Sequence, residues 1–149
     1  MNSLPGTYAL IFLSSRERQL TIGKLGTLQL KPGFYIYIGS AFGPGGLKAR
    51  IAHHCKKARR PHWHIDYLGS FLHPTEIWYT YDPAHREHQW AQTLSAIRGA
   101  SVALAGFGSS DCRCKAHLFF RTSRPSIKTF RRKTCAGTKN HGKVLFEEF

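Results

Sequence analysis

The chain has 149 residues, 42% of them hydrophobic, which suits one domain with its own core and leaves no room for a second catalytic domain. Its 22 Lys and Arg against 8 Asp and Glu give a formal net charge of +14, which favours a polyanion as partner through sequence-independent attraction to phosphates; a basic surface that serves only solubility is the plainer alternative. No run approaches the roughly 18 apolar residues that a bilayer span needs, and the N-terminus has neither a basic n-region nor a small-residue cleavage site, so a cytoplasmic protein without a membrane partner is expected.

In chain order, Tyr8 to Leu13 reads as a first strand and Thr27 to Leu30 as another. Pro32-Gly33 suits the centre of a type II turn, so Phe34 to Ile38 is expected as the second arm of a hairpin, with Phe34, Ile36 and Ile38 alternating with Tyr35 and Tyr37. A permissive loop containing Gly39, Gly43, Gly45 and Gly46 follows. A helix is predicted from about Gly46 to Lys57, with Leu47, Ile51, Cys55 and Ala58 on one face and Arg50 and His54 flanking it. Trp63 to Phe71 reads as a second helix and Ile77 to Tyr81 as a strand. Asp82-Pro83 resembles an N-cap with proline at the first helical position, opening a helix over Ala84 to Ile97 whose apolar stripe is Trp90, Ala91, Leu94 and Ile97. Leu118 to Arg121 reads as the last strand. Strands and helices mix without a βαβ repeat, which predicts an α+β fold, a small mixed or antiparallel sheet flanked by helices. From Arg121 to Lys143 there are many Lys and Arg and no acidic residue, so residues 121–149 are expected as a mobile basic extension of a domain formed by 1–120, with Val144-Leu145-Phe146 able to dock back.

Several of these residues can carry chemistry. Tyr37 closes a strand beside Arg50 and His54 at helical spacing, a layout suited to a phosphate. Glu87 falls on the core-facing stripe of its helix, where a carboxylate must either pair with an arginine or bind a cation. Lys48, Lys56, Lys57, Arg59 and Arg60 read as a phosphate track or as a solvated face, and Trp63 either stacks on bases or fills the core. His62 and Asp66, four apart, invite a metal reading, but an Asp to His hydrogen bond that fixes the helix start is preferred. Cys112, Cys114 and His117 offer three soft ligands, with Cys135 as a fourth, for structural zinc; buried thiols in a glycine-rich turn are the alternative.

Taken together, Gly6-Thr7-Tyr8, Tyr37-Ile38-Gly39-Ser40-Ala41, Arg50, His62-Trp63-His64-Ile65-Asp66-Tyr67-Leu68 and the run from Gly106 to Phe119 resemble the GIY-YIG endonuclease superfamily. Within it they are most similar to the Uri-type group, which occurs alone or fused to endonuclease III. Tyr8 and Tyr37 lie farther apart than the superfamily's two tyrosine motifs, and an inserted strand pair between them would absorb the extra length. The resemblance implies a metal-dependent endonuclease acting on DNA, with RNA left open, and localised with the nucleoid when bound. Tyr8, Tyr37, Arg50, His54 and Glu87 would form its centre, with magnesium or manganese on Glu87 and a functional link to base-excision repair enzymes. The rival of another class is a non-catalytic nucleic-acid-binding module of the same fold.

Overall fold

The computed structural model describes residues 1–57 and 60–149. Ala58 and Arg59, the second of which was placed in the phosphate track above, lie outside the described residues.

The first strand, β1 (Gly6–Ser14), is buried on both faces, as expected for a central strand covered by helices on either side. It pairs antiparallel with β4 (Gly33–Ala41) and with β5 (Pro74–Thr80). Tyr8, Leu10 and Phe12 face one side, and Ala9 and Ile11 the other. Between β1 and β4 the chain forms β2 (Arg18–Ile22) and β3 (Gly26–Leu30), a separate two-stranded sheet. This is the inserted strand pair, but its turn lies at 23–25 and not at Pro32-Gly33, because β3 pairs with β2 while β4 has both edges taken by β1 and β7 (Leu118–Arg121). The hairpin buries Leu20, Ile22, Leu28 and Leu30 on the Tyr8 face.

Two helices cover that same face. Helix α1 (Gly46–His54) contributes Leu47 and Ile51, and α2 (His64–Gly69) contributes Ile65 and Leu68. Both are shorter than the pattern suggested. Helix α2 opens after Trp63, where the Asp66 carboxylate accepts from the backbone N–H groups of His62 and Trp63 at 2.9 Å each.

Helix α3 (Glu87–Ser95) packs on the opposite face through Trp90, Ala91 and Leu94. It begins five residues after the expected cap, since Asp82 is engaged elsewhere. Its carboxylate accepts from Ala84 N at 2.9 Å, from Arg86 Nε at 2.8 Å and from Gly142 N at 2.8 Å. Glu87 thus occupies the first turn of the helix and not its second.

The sharpest difference from the sequence reading is the C-terminal segment. After the short β6 (Ser101–Val102) and β7, residues 127–137 form α4 (Ile127–Gly137), and β8 (Leu145–Glu148) extends the sheet by pairing with β5. The final strand order is β6-β7-β4-β1-β5-β8, antiparallel throughout. Phe130 of α4 is fully buried, its ring centre 5.1 Å from that of Trp78 and 4.9 Å from that of Trp90. Arg124 Nη2 contacts the buried Glu76 carboxylate at 2.7 Å. Residues 121–149 are therefore part of the domain's core and not a mobile basic extension: a single aromatic plug and a strand edge supply what the basic composition conceals. Among the described residues no helix is long and apolar enough to cross a membrane.

Truncating Phe130 to Ala should lower the unfolding free energy by about 3–5 kcal/mol, read by urea denaturation. A change below about 1 kcal/mol would mean that the C-terminal helix packs only loosely.

Candidate active site

The register of β1 on β4 builds the site. Tyr8 lies opposite Gly39 and Leu10 opposite Tyr37, so Tyr8 and Tyr37 are diagonal neighbours on one face, with ring centres 6.4 Å apart. The Tyr8 ring lies over Gly39: a methyl group there would come within 2.6 Å of Cζ and closer still to the hydroxyl. Glycine is needed at this position for space and not for its backbone angles.

From above, α1 brings Arg50 and His54 onto this floor. The Tyr8 hydroxyl and His54 Nε2 are 2.7 Å apart, and the charge of Arg50 acts on the same phenol. One proton is shared between the hydroxyl and Nε2, the donor being set by the tautomer of the ring. The other ring nitrogen, Nδ1, is buried and has no hydrogen-bond partner among the described residues. Burial, with the charges of His53 and Arg50 adding to it against the opposing pull of Asp66, lowers the His54 pKa to about 4. Burial also holds the Tyr8 phenol well above its ordinary value; Tyr37 and Glu87 add to the rise and Arg50 opposes it. Tyr37 is raised as well, by burial first and by Glu87 next.

Glu87 enters from the other face of the sheet at the first turn of α3. Its side chain is 21% exposed, and Oε1 lies 2.8 Å from His117 Nδ1, although the ring N–H is off the line to the oxygen. Burial works against its charge, yet the neighbouring His117 and Ser40, with the charges of His117 and His88, together hold the carboxyl below its usual range. The partner of this half-buried acid is thus a histidine, where the sequence offered an arginine or a cation.

The structure therefore brings Tyr8, Tyr37, Arg50, His54 and Glu87 to one place. Trp63 borders it, 37% exposed, with the Arg50 guanidinium 4.5 Å from the centre of its ring. Lys48 is exposed on α1, and Lys56, Lys57 and Arg60 are exposed in the segment that follows. A second group of His53, His54 and Asp66 has metal-ligand spacing, but the His62 ring takes no part in it. In it Asp66 Oδ2 is held by backbone N–H groups and His54 Nε2 by Tyr8, while His54 Nδ1 has no partner among the described residues.

Cys112, Cys114 and His117 do converge, but the fourth member of their group is His88. Cys135 is exposed on α4 and lies outside it, so the sequence-based choice of fourth ligand is corrected. His88 sits on a distant helix and gave no spacing signal. Gly39 and Ser40 were visible only as part of a motif, and their roles as floor and as neighbour of Glu87 depend on the strand register.

Two outcomes follow from this geometry. Replacing Gly39 by Ala should displace the Tyr8 ring and cost about 1–3 kcal/mol; an unchanged denaturation midpoint would show that the ring has room to move. A histidine whose folded pKa is depressed binds fewer protons than the unfolded chain, so its contribution is intact above pH 6.5 and is lost as pH falls toward 4. Wild type should thus lose on the order of 3 kcal/mol more than His54→Gln between those limits, measured by urea unfolding across pH; parallel curves would refute the buried neutral ring.

Residues 7–139 match the model of the family described as "Domain of unknown function DUF123". No curated protein and no solved structure matches the chain. The match spans most of the molecule, from the first residues of β1 to the end of α4, and the chain belongs to the DUF123 family.

Proposed function

We propose that this protein is a metal-dependent endonuclease of the GIY-YIG type and its Uri group, which hydrolyses DNA phosphodiester bonds in a DNA-repair setting at the nucleoid. The observation that carries the reading is the Tyr8 hydroxyl 2.7 Å from His54 Nε2, with the charge of Arg50 favouring the ionised phenol against burial. Phosphodiester hydrolysis needs a water stripped of a proton, a cation on the phosphate, and an acceptor for the proton removed.

Tyr8 alone is a poor base, since its phenol is held well above the ordinary value by burial. The hydrogen bond to His54 gives it a relay: Tyr8 takes a proton from the attacking water as its own passes to Nε2. In the free protein His54 is a weak acceptor, with burial the chief cause and the charge of Arg50 contributing. A phosphate seated on Arg50 offsets that charge and adds negative potential, so substrate itself raises the basicity of the ring. Arg50 binds phosphate oxygens with its planar donors, and the Tyr37 hydroxyl provides a second donor beside Tyr8.

Glu87 fits a hard divalent ion. It is the carboxylate whose charge reaches both tyrosines, it is held ionised, and part of its side chain faces solvent. Magnesium or manganese would be held by Glu87 with water and phosphate oxygens, and when bound would supply charge stabilisation at the phosphate. Trp63 beside Arg50 would stack on a base, and the exposed Lys48, Lys56, Lys57 and Arg60 of α1 and the segment after it would contact phosphates.

One observation favours a second reading, a non-catalytic nucleic-acid-binding module. Tyr8 is 0% exposed, so a water can reach its hydroxyl only if the side chains packed over it give way. Cleavage of labelled duplex, flap, four-way-junction and single-stranded DNA, and of RNA, with magnesium or manganese separates the two. Wild type should give metal-dependent products that Tyr8→Phe and Glu87→Ala reduce by about 10²-fold or more, with DNA affinity nearly intact in Glu87→Ala. Salt-sensitive binding without products would establish the binding module, and products unchanged in both variants would remove these residues from the mechanism.

A further inference from the structure

We propose that His88, Cys112, Cys114 and His117 bind one zinc ion as a tetrahedral Cys2His2 site, with Glu87 as the carboxylate that orients His117. The site is built from two elements remote in sequence, the first turn of α3 and the 106–117 loop before β7.

The ligand atoms of all four residues lie within 4.8 Å of one another. Cys112 Sγ is 3.5 Å from His117 Nε2, and Cys114 Sγ is 3.2 Å from His88 Nδ1. A tetrahedral zinc with bonds of about 2.3 Å to sulfur and about 2.0 Å to nitrogen has sulfur to nitrogen edges of about 3.5 Å. Both contacts are thus near the length that the coordination polyhedron requires.

The loop holds this spacing by its own backbone bonds. Gly106 N donates to Lys115 O at 2.7 Å, and His117 N donates to Phe107 O at 2.7 Å. Gly108, at φ +71°, is fixed by its N–H to His64 Nδ1 at 2.9 Å and is packed between Tyr37 and His117. The pairings among these four ligands involve only weak thiol contacts, which a metal ion can replace.

The shell around the ligands suits the same ion. His117 presents Nε2 to Cys112 and Nδ1 to Glu87, the carboxylate–histidine arrangement common behind bound zinc. A cleft of about 810 Å³, lined by His88, Cys112 and Cys114, gives the ion a route in. Two sulfurs and two imidazoles select zinc over the hard ion placed on Glu87. Binding converts two thiols to thiolates and releases two protons to solvent, so the ion's two charges are matched by two thiolates and the site stays neutral.

This site stands apart from the nuclease reading and is tested without reference to cleavage. The full chain, saturated with zinc and dialysed against metal-free buffer, should retain about one zinc per chain. Cobalt(II) in its place should show thiolate charge-transfer and tetrahedral d–d absorption. Both signals should be lost in Cys112→Ser and Cys114→Ser, be weakened in His88→Asn, and be unchanged in Cys135→Ser and Cys55→Ser. Glu87→Gln should keep one zinc but bind it about 10–100-fold more weakly in chelator competition. Wild type needs no variant to report: bound zinc should shield Cys112 and Cys114 from alkylation while Cys55 and Cys135 react, and chelation should expose the first pair. Retention of less than a tenth of a zinc per chain, a cobalt signal that depends on Cys135, or a Cys112–Cys114 disulfide in the zinc-saturated protein would each overturn the assignment.

Discussion

The packing of the Tyr8 ring onto Gly39 sets the geometry of everything around it. Because β1 and β4 pair with those two residues opposite each other, Tyr37 must fall diagonally beside Tyr8 on the same face. The missing side chain at Gly39 makes room for the phenol, and α1 places His54 on its hydroxyl with the charge of Arg50 nearby. A one-residue slip of β1 against β4 would turn Tyr8 to the opposite face, toward Trp90 and Phe130, and part it from Tyr37. The two-sided burial of β1 guards against that slip, since either face exchanged would bury the wrong set of side chains.

Glu87 joins two halves of the molecule that would otherwise be independent. It belongs to a helix that packs on the far face, yet its charge is felt by both phenols and its oxygen meets His117 at the edge of β7. A carboxylate has about four lone-pair sites, so the contact to His117 leaves capacity for Ser40 and for a hard cation. The cysteine loop is then more than a connection between strands. It carries the histidine that positions the acid, and Gly108 of the same loop abuts Tyr37.

What the sequence could reveal depended on whether a residue's role was local. The alternation from Phe34 to Ile38 announced a strand, and the length between Tyr8 and Tyr37 announced an inserted strand pair; both exist. The turn of that pair was misplaced because Pro32-Gly33 has turn chemistry at a point where β3 ends and β4 begins with other partners. The C-terminal segment was misread because its helix buries only Phe130 and Thr134 behind a row of exposed basic residues, too weak an apolar stripe to read against so much charge. Asp82 looked like a helix cap but anchors Gly142, a contact across 60 positions that no local pattern contains. The chemistry-bearing residues were visible as types, whereas the partner of Glu87 and the identity of His88 required the fold.

Under the proposed nuclease reading, the protonation states leave the centre at rest until an anion arrives. Free of substrate, Tyr8 is a phenol, His54 is neutral and Arg50 is the cation beside them, so no group in the trio is ready to take a proton from water. The same burial that weakens His54 as a base also removes the water that would screen a phosphate's charge. An anion on Arg50 therefore acts on the ring at low dielectric and raises its affinity for a proton more than it would at the surface. Depressed basicity in the free state and strong response to charge in the bound state have one cause, the desolvation created by Trp63, Phe107 and the glycine floor. Under the proposed nuclease reading, a phosphate held along the exposed Lys56, Lys57 and Arg60 leaves the ring unchanged, and only one that reaches Arg50 alters it.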